Sequence, residues 1–147
     1  MVLGGLDETA LEDLASRVAG KLEPGDVVVL SGEVGAGKTT FVRAAARALG
    51  VRERVTSPTY QFARGYEGEM DGRPVAINHL DLYRLEGLEA PDVLEIEDYV
   101  GPGAVTFIEW AEPALEAIER PTIIHLDHES PETRRVELRG PAAGRLS

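Results

Sequence analysis

The chain has 147 residues, 43% of them hydrophobic and 28% charged, a composition and length that fit one globular domain with its own core. It contains no cysteine, which excludes disulfides, thiolate zinc sites and thiol catalysis, and it shows neither a signal peptide nor a membrane span, so we expect a cytoplasmic protein that does not bind membranes. The formal net charge of -11 disfavours direct binding to nucleic acid unless basic residues cluster locally.

The first part of the chain predicts a helix, a buried strand, a glycine-rich loop and a second helix. Apolar residues three and four apart predict a helix that starts at Asp7 or Thr9. The β-branched run over residues 26–30 is typical of a strand buried on both faces of a parallel sheet. A glycine-rich loop follows directly, and the alanine-rich segment after Lys38 predicts a helix that ends at Gly50.

Further strands and two short helices follow toward the C-terminus. In chain order they are a loop passing into a strand (55–66), a strand (75–82), a helix (91–100), a strand (104–110), a helix (112–119) and strands near 122–127 and 134–138. Residues 68–74 are typical of an exposed, turn-rich connector, and residues 140–147 are expected to fray. The order predicts a single α/β domain, 1–147, with a central, mostly parallel sheet of mixed edges flanked by helices.

The loop between the first buried strand and the second helix carries a full G-x-x-x-x-G-K-T motif. Glycines let backbone N–H groups curl around phosphate oxygens, the helix offers its positive end, and Lys38 adds a point charge for the β- and γ-phosphates. The Thr39 hydroxyl is suited to Mg²⁺. The motif begins at Gly32 and predicts a P-loop NTPase domain whose nucleotide contacts come from Glu33, Val34, Gly35, Ala36, Gly37, Lys38, Thr39 and Thr40.

Two acidic residues stand at the ends of predicted buried strands. Asp81 ends one apolar run and Glu109 ends the next, and ligands of open α/β sheets lie beyond the carboxyl ends of the strands. Both side chains are therefore expected near Lys38, as catalytic groups that bind Mg²⁺ or position water. Which of the two touches the metal stays open. The N-K-x-D guanine motif is absent, so ATP is the expected nucleotide.

Several other residues are each compatible with two roles. Thr56, Ser57 and Thr59 suit either a γ-phosphate sensor or an ordinary hydroxyl-rich turn, and Trp110 suits either the rim of the site or the core. For His79, structural packing is favoured over proton transfer. The basic residues Arg134, Arg135 and Arg139 are expected on a solvated strand face.

Four separated strings, GEVGAGKTT, TSPTY, HLDLYRL and IEW, together resemble the TsaE family, formerly YjeE. The resemblance runs from the first helix to about Leu138. It implies a P-loop fold and a Mg-dependent ATPase of tRNA threonylcarbamoyladenosine biosynthesis, slow alone and stimulated by its partners TsaB and TsaD. It also implies that the tRNA is contacted only indirectly, through the complex.

The resemblance also implies roles for particular residues. Gly35, Gly37, Lys38 and Thr39 match the phosphate and Mg²⁺ shell, Glu109 matches a Mg²⁺ ligand, and Asp81 matches a group that positions water or metal. The remaining matches are the switch-like loop of Ser57, Pro58 and Thr59, the aromatic Trp110 beside the site, Thr9 near the adenosine, and Tyr83 and Arg84, whose roles are open.

Two alternatives to a partner-dependent ATPase use the same loop. A small-molecule or protein kinase would need an arginine-bearing lid and an acceptor pocket, whereas Arg43 and Arg47 are expected to face solvent on the second helix. A nucleotide-gated scaffold would use ATP binding to order the loop at Ser57, with hydrolysis incidental.

Overall fold

The computed structural model describes residues 1–33, 35–55, 63–82, 99–110 and 118–146. Their elements are β1 Val2–Leu6, α1 Glu8–Ala19, β2 Val27–Gly32, α2 Lys38–Ala48, β3 Ala63–Met70, β4 Arg73–Asp81, β5 Ala104–Glu109, β6 Thr122–His128, β7 Arg134–Arg139 and α3 Pro141–Leu146. Outside the described residues lie Val34, Thr56, Ser57, Pro58, Thr59, Tyr83, Arg84 and most of the two expected helices, namely 91–98 and 112–117. The last residues of those two predictions, 99–100 and 118–119, are described and are not helical.

The described strands form one seven-stranded sheet in the order β1-β7-β6-β2-β5-β4-β3. The four central strands, β6, β2, β5 and β4, are parallel to one another, whereas β7 and β3 pair antiparallel with β6 and β4, and β1 pairs antiparallel with β7. The α/β class, the parallel centre and the mixed edges are therefore confirmed.

Both faces of the sheet are buried at its centre, as the continuous apolar runs predict. In β2, the residues from Val27 to Leu30 are all at most 5% exposed. Alternate residues supply two cores, one beneath α1 and α2 that includes Val28 and Phe107, and one on the opposite face that includes Val29 and Ile108. The central strands are thus held firmly, and their ends are fixed relative to α2.

Helix α1 begins where a side-chain cap was predicted. The Asp7 carboxylate accepts a hydrogen bond from Ala10 N at 2.8 Å, which confirms Asp7 rather than Thr9 as the start. Helix α2 ends at Ala48, and Gly50 follows in the left-handed conformation with φ 83°, as a C-terminal cap requires. Within the described part of the chain, no helix has the length and apolar character of a membrane span.

Three parts of the prediction are wrong in whole or in part. The connector expected over 68–74 contains an exposed turn, as predicted, but it is shorter than expected: strands β3 and β4 form a hairpin in which Asp71 and Gly72 are a two-residue turn with φ of 52° and 77°. Strand β1 was not predicted, because its sequence VLGGL shows no apolar alternation. The C-terminal residues expected to fray form α3, in which Ala142 is fully buried and its N–H donates to Thr122 Oγ1 at 3.0 Å.

Candidate functional site

The site predicted from the sequence lies at the carboxyl edge of the central strands. Strands β4 and β5 end side by side, with Asp81 and Glu109 directly paired in register, and Glu109 also pairs with Leu30 of β2. Because paired residues of neighbouring strands point to the same face, the two acids project toward the face on which α2 packs. The glycine-rich loop, residues 32–39, runs from the end of β2 into α2 at the same edge.

The backbone of this loop needs glycine at two positions for steric reasons. Gly32 and Gly37 have φ of 135° and 104°, in the region that favours glycine. A Cβ on Gly32 would lie 2.3 Å from the Leu126 carbonyl oxygen, and one on Gly37 would lie 2.8 Å from Leu11 Cδ2. The motif's first and last glycines therefore let the loop pass close to β6 and α1.

Lys38 lies across this loop with a side chain that is almost completely buried. Only 5% of the residue is exposed, its Nζ donates a hydrogen bond to Gly32 O at 2.6 Å, and Nζ lies 3.7 Å from the centroid of the Trp110 ring. The carbonyl and the electron-rich ring face compensate the buried charge. The structure thus brings Trp110 to the lysine of the motif.

Glu109 is a buried carboxylate with two side-chain partners. It is 3% exposed, and its Oε2 accepts hydrogen bonds from His79 Nε2 at 2.5 Å and from Thr39 Oγ1 at 3.4 Å. His79 is fully buried, and its Nδ1 finds no hydrogen-bond partner among the described residues. The histidine is therefore packed, as favoured from the sequence, but it also fixes the orientation of the Glu109 carboxylate. Asp81, next to Glu109 in register, is less buried.

Arg134, which was expected on a solvated strand face, instead contacts the glycine-rich loop. Its Nε donates to Ala36 O at 3.1 Å and its Nη2 donates to Gly35 O at 3.4 Å, so β7 braces the loop from the side. Arg135 and Arg139 are exposed, as expected. The sequence holds a signal that distinguishes Arg134 from the exposed Arg135. Arg134 lies two residues before Val136, so in a strand it shares the face of that buried side chain.

A cleft of about 330 Å³ opens beside the loop. It is lined by Glu8, Leu11, Gly35, Gly37, Thr40, Pro131, Glu132 and Arg134. Thr9 is exposed in the first turn of α1, next to the lining residue Glu8, but does not itself line the cleft. The cleft therefore joins the loop to the start of α1 and to the turn between β6 and β7.

Within the described residues, no three His, Cys, Asp or Glu side chains are grouped so as to enclose a metal ion. Mg²⁺ does not require such a group, because it is commonly held by one or two carboxylates together with phosphates and water. The oxygen ligands that the described site offers are the Thr39 hydroxyl and the Glu109 carboxylate, which are in contact, with Asp81 adjacent in register. This set of hard oxygen donors fits Mg²⁺.

Sheet and site together define an α/β protein with a glycine-rich loop, a buried lysine and strand-end acids at the carboxyl edge of its parallel strands. Residues 6–136 match the family model "Threonylcarbamoyl adenosine biosynthesis protein TsaE". The chain belongs to the TsaE family.

Individual relatives agree with this assignment. A protein of Streptomyces coelicolor named tRNA threonylcarbamoyladenosine biosynthesis protein TsaE is 40% identical over 109 residues, which cover 74% of this chain and 72% of the relative. A Mycobacterium bovis protein of the same name is 38% identical over 78% of this chain and 68% of its own length. The crystal structure of Bacillus subtilis YdiB superposes with a TM-score of 0.74 at 26% identity, covering 99% of this chain and 88% of the other.

Proposed function

We propose that this chain is a P-loop ATPase that hydrolyses ATP to ADP and phosphate, and that it serves the threonylcarbamoylation of the adenosine beside the tRNA anticodon. The observation that carries the proposal is the contact of Thr39 with Glu109 at the start of α2, with the buried Lys38 beside them. A loop of this motif supplies phosphate ligands, and a strand-end acid supplies the metal side of the reaction. Family membership gives the pathway.

Backbone and side-chain groups of the chain would bind the phosphates of ATP in different ways. The backbone N–H groups of residues 33–40 bind the phosphate oxygens, aided by the positive end of α2. Lys38 supplies the charge that stabilises the β- and γ-phosphates, and Trp110 covers its ammonium group. Because Lys38 is already held in a water-poor position, little reorganisation is needed when charge develops on the phosphate.

Thr39 and Glu109 would hold Mg²⁺, and His79 would keep the Glu109 carboxylate turned toward it. When bound, Mg²⁺ neutralises the charge on the β- and γ-phosphate oxygens. Asp81 lies one strand away and orients the attacking water, or it shares the metal. The adenosine would occupy the cleft beside Arg134, with Thr9 near its rim.

The ATPase is proposed to act with the TsaB and TsaD proteins in the cytoplasm, hydrolysing ATP slowly alone and faster in their presence. The net charge of -11 supports a division of labour in which the partners hold the tRNA, because a surface this acidic repels the RNA backbone. The chain itself does not modify the RNA in this scheme.

Replacing Lys38 by alanine tests the proposal, and the chain offers a matched control because its other lysine is Lys21, which is exposed. We expect Lys38→Ala to lose more than about 10²-fold in ATP hydrolysis, since an electrostatic group is removed from the phosphates. Lys21→Ala should remain within about twofold of the wild-type rate. Steady-state ADP release is the measurement, with circular dichroism to confirm folding. Wild-type hydrolysis by Lys38→Ala would refute the proposal.

A further inference from the structure

Four arginines converge on one cleft at the far end of α2 from the candidate site. The cleft has a volume of about 420 Å³ and is lined by Arg43, Arg47, Val51, Arg52, Glu53, Arg54 and Val55. The whole chain has 26 acidic residues against 15 basic ones, yet this lining contains a single acid. We call it the arginine cleft, and its charge is opposite to that of the molecule as a whole.

The sequence VRERV builds one wall of the arginine cleft by anchoring both of its ends. Val51 and Val55 are 6% and 2% exposed, so they are packed in the core, and the three charged residues between them are exposed. Val51 N also donates to Ala46 O at 3.1 Å, which fixes the segment to the end of α2. Arg52 and Arg54 are thus presented by a chain segment that is held at both ends.

Helix α2 builds the opposite wall. Arg43 and Arg47 are one helical turn apart and share a face. Contrary to the expectation of a solvent-facing side chain, Arg43 is half-buried, and its Nε donates to Val55 O at 3.1 Å. This hydrogen bond joins the two walls and fixes the Arg43 guanidinium against the 51–55 segment.

The remaining three arginines are available to a partner. Arg47, Arg52 and Arg54 are exposed, and within the described residues none of them forms an ion pair or a hydrogen bond. On α2, the like charges of Arg43 and Arg47 are one helical turn apart, a spacing at which they repel one another and lower stability. Exposed guanidinium groups that form no ion pair among the described residues keep their hydrogen-bond donors available for an acidic ligand.

The chemistry of the cleft and its surroundings restricts the ligand. Guanidinium groups bind carboxylates and phosphates through paired hydrogen bonds. A neighbouring cleft of about 760 Å³ shares Arg52 and Glu53 with the arginine cleft and adds Glu67 and Glu69. A long polyanion such as RNA would run from the arginines onto these acids, whereas a short acidic peptide segment can end before them.

We propose that the arginine cleft docks an acidic segment of a protein partner. The charge complementarity is local, so the segment needs only a few Asp or Glu side chains to meet the guanidinium groups. The proposal goes beyond ATP hydrolysis and does not depend on it, except for the last experiment below, which rests on the proposed function.

Fluorescence anisotropy with a labelled oligoglutamate peptide tests the docking surface directly. The test variant carries Arg47→Gln, Arg52→Gln and Arg54→Gln. The control variant carries Arg17→Gln, Arg73→Gln and Arg139→Gln, three exposed arginines outside the cleft. Both variants lose three positive charges, and the control also removes the exposed ion pair of Arg139 with Glu137 at 3.9 Å. Folding of both variants is therefore checked by circular dichroism before binding is compared.

The expected result is saturable binding of the peptide by wild type, weakened about tenfold in the test variant and less than about twofold in the control. Equal weakening in both variants would mean that the peptide responds to the overall charge of the protein and not to the arginine cleft, which would overturn the proposal. Absence of binding by wild type would also overturn it. An oligouridylate of the same length is the competing probe. If it binds more tightly than oligoglutamate and loses its binding in the test variant, the cleft takes an RNA backbone instead.

The second experiment places the cleft in the proposed assembly. The test variant should keep the ATP hydrolysis rate of the isolated chain within about twofold and lose its stimulation by TsaB and TsaD. Full stimulation of the test variant would show that the acidic segment does not belong to these partners. Absence of any hydrolysis by wild type would refute the ATPase while leaving the peptide-binding result intact.

Discussion

At the scale of single residues, hydrogen bonds from neighbouring side chains fix the orientation of the Glu109 carboxylate. A carboxylate that is 3% exposed would be costly to bury without partners, and His79 and Thr39 both donate to its Oε2. Such an arrangement is typical of a metal ligand whose orientation is fixed by a histidine behind it. Asp81, although adjacent in register, is only half-buried.

The two acids can be separated by matched amide substitutions. We predict that Glu109→Gln lowers ATP hydrolysis by more than about 10²-fold, because the carboxylate charge proposed to hold Mg²⁺ is lost while the size of the side chain is kept. Asp81→Asn should cost about tenfold or less. Single-turnover hydrolysis over a range of Mg²⁺ concentrations measures both. The reverse order of the two losses would assign the metal to Asp81.

At the scale of elements, the antiparallel strand β7 supports the glycine-rich loop. Arg134 reaches two loop carbonyls, those of Gly35 and Ala36, across 99 and 98 residues of chain. These hydrogen bonds tie the loop to β7. An edge of the sheet that carries none of the predicted catalytic groups therefore contributes to the shape of the candidate phosphate site.

Arg134→Gln should raise the KM for ATP about fivefold and leave kcat within about twofold, because it loosens the loop without removing a group from the reacting phosphates. Its neighbour gives the matched control, since Arg135 is exposed on the other face of β7. Arg135→Gln should change neither constant by more than about twofold. A large fall in kcat with an unchanged KM for Arg134→Gln would contradict the bracing role.

Two glycines near α3 form a second matched pair. A Cβ on Gly140, where φ is 97°, would lie 2.4 Å from Pro121 O, whereas a Cβ on Gly144 would meet nothing within 4 Å. Gly140→Ala should therefore lower the free energy of unfolding by about 2–3 kcal/mol. Gly144→Ala should raise it by about 0.5 kcal/mol, because alanine favours a helix. Urea denaturation measures both, and equal effects would contradict the described turn.

Elements that are encoded by short sequence patterns can be predicted from the sequence, whereas elements that depend on contacts between distant residues cannot. The buried strands, α1 and the motif are encoded by short patterns, so they could be predicted from the sequence. Strand β1 and helix α3 instead depend on distant partners. The N–H of Ala142 bonds to Thr122, 20 residues away, and Arg145 bonds to Asp26, 119 residues away. The contact of Arg134 with the loop also joins residues that are about 100 positions apart in the sequence, so no local pattern predicts it.

At the scale of the molecule, the end of the chain is tied to the start of β2. Arg145 Nη1 donates to Asp26 Oδ2 at 2.6 Å, and this hydrogen bond raises the pKa of Arg145 above its ordinary value. A raised pKa in the folded state means that this contribution is lost only as the pH rises through that higher value. We therefore expect the contact to persist over the neutral range in which ATP hydrolysis is measured.

Positive and negative charges are also distributed unevenly over the molecule. This distribution agrees with the proposal of a protein that acts through partners. The net charge of -11 disfavours direct contact with RNA, while the arginine cleft offers a local positive surface at the far end of the helix that begins at Lys38. One helix thus connects the candidate phosphate site to the proposed docking surface.

ADP release by the purified chain with Mg-ATP, alone and after addition of TsaB and TsaD, is the measurement that tests the central claim most directly. Lys38→Ala serves as the blank. A partner-dependent ATPase predicts slow release by the chain alone and marked stimulation by the partners, both absent from the blank. ATP binding without any stimulation by TsaB and TsaD would contradict the claim.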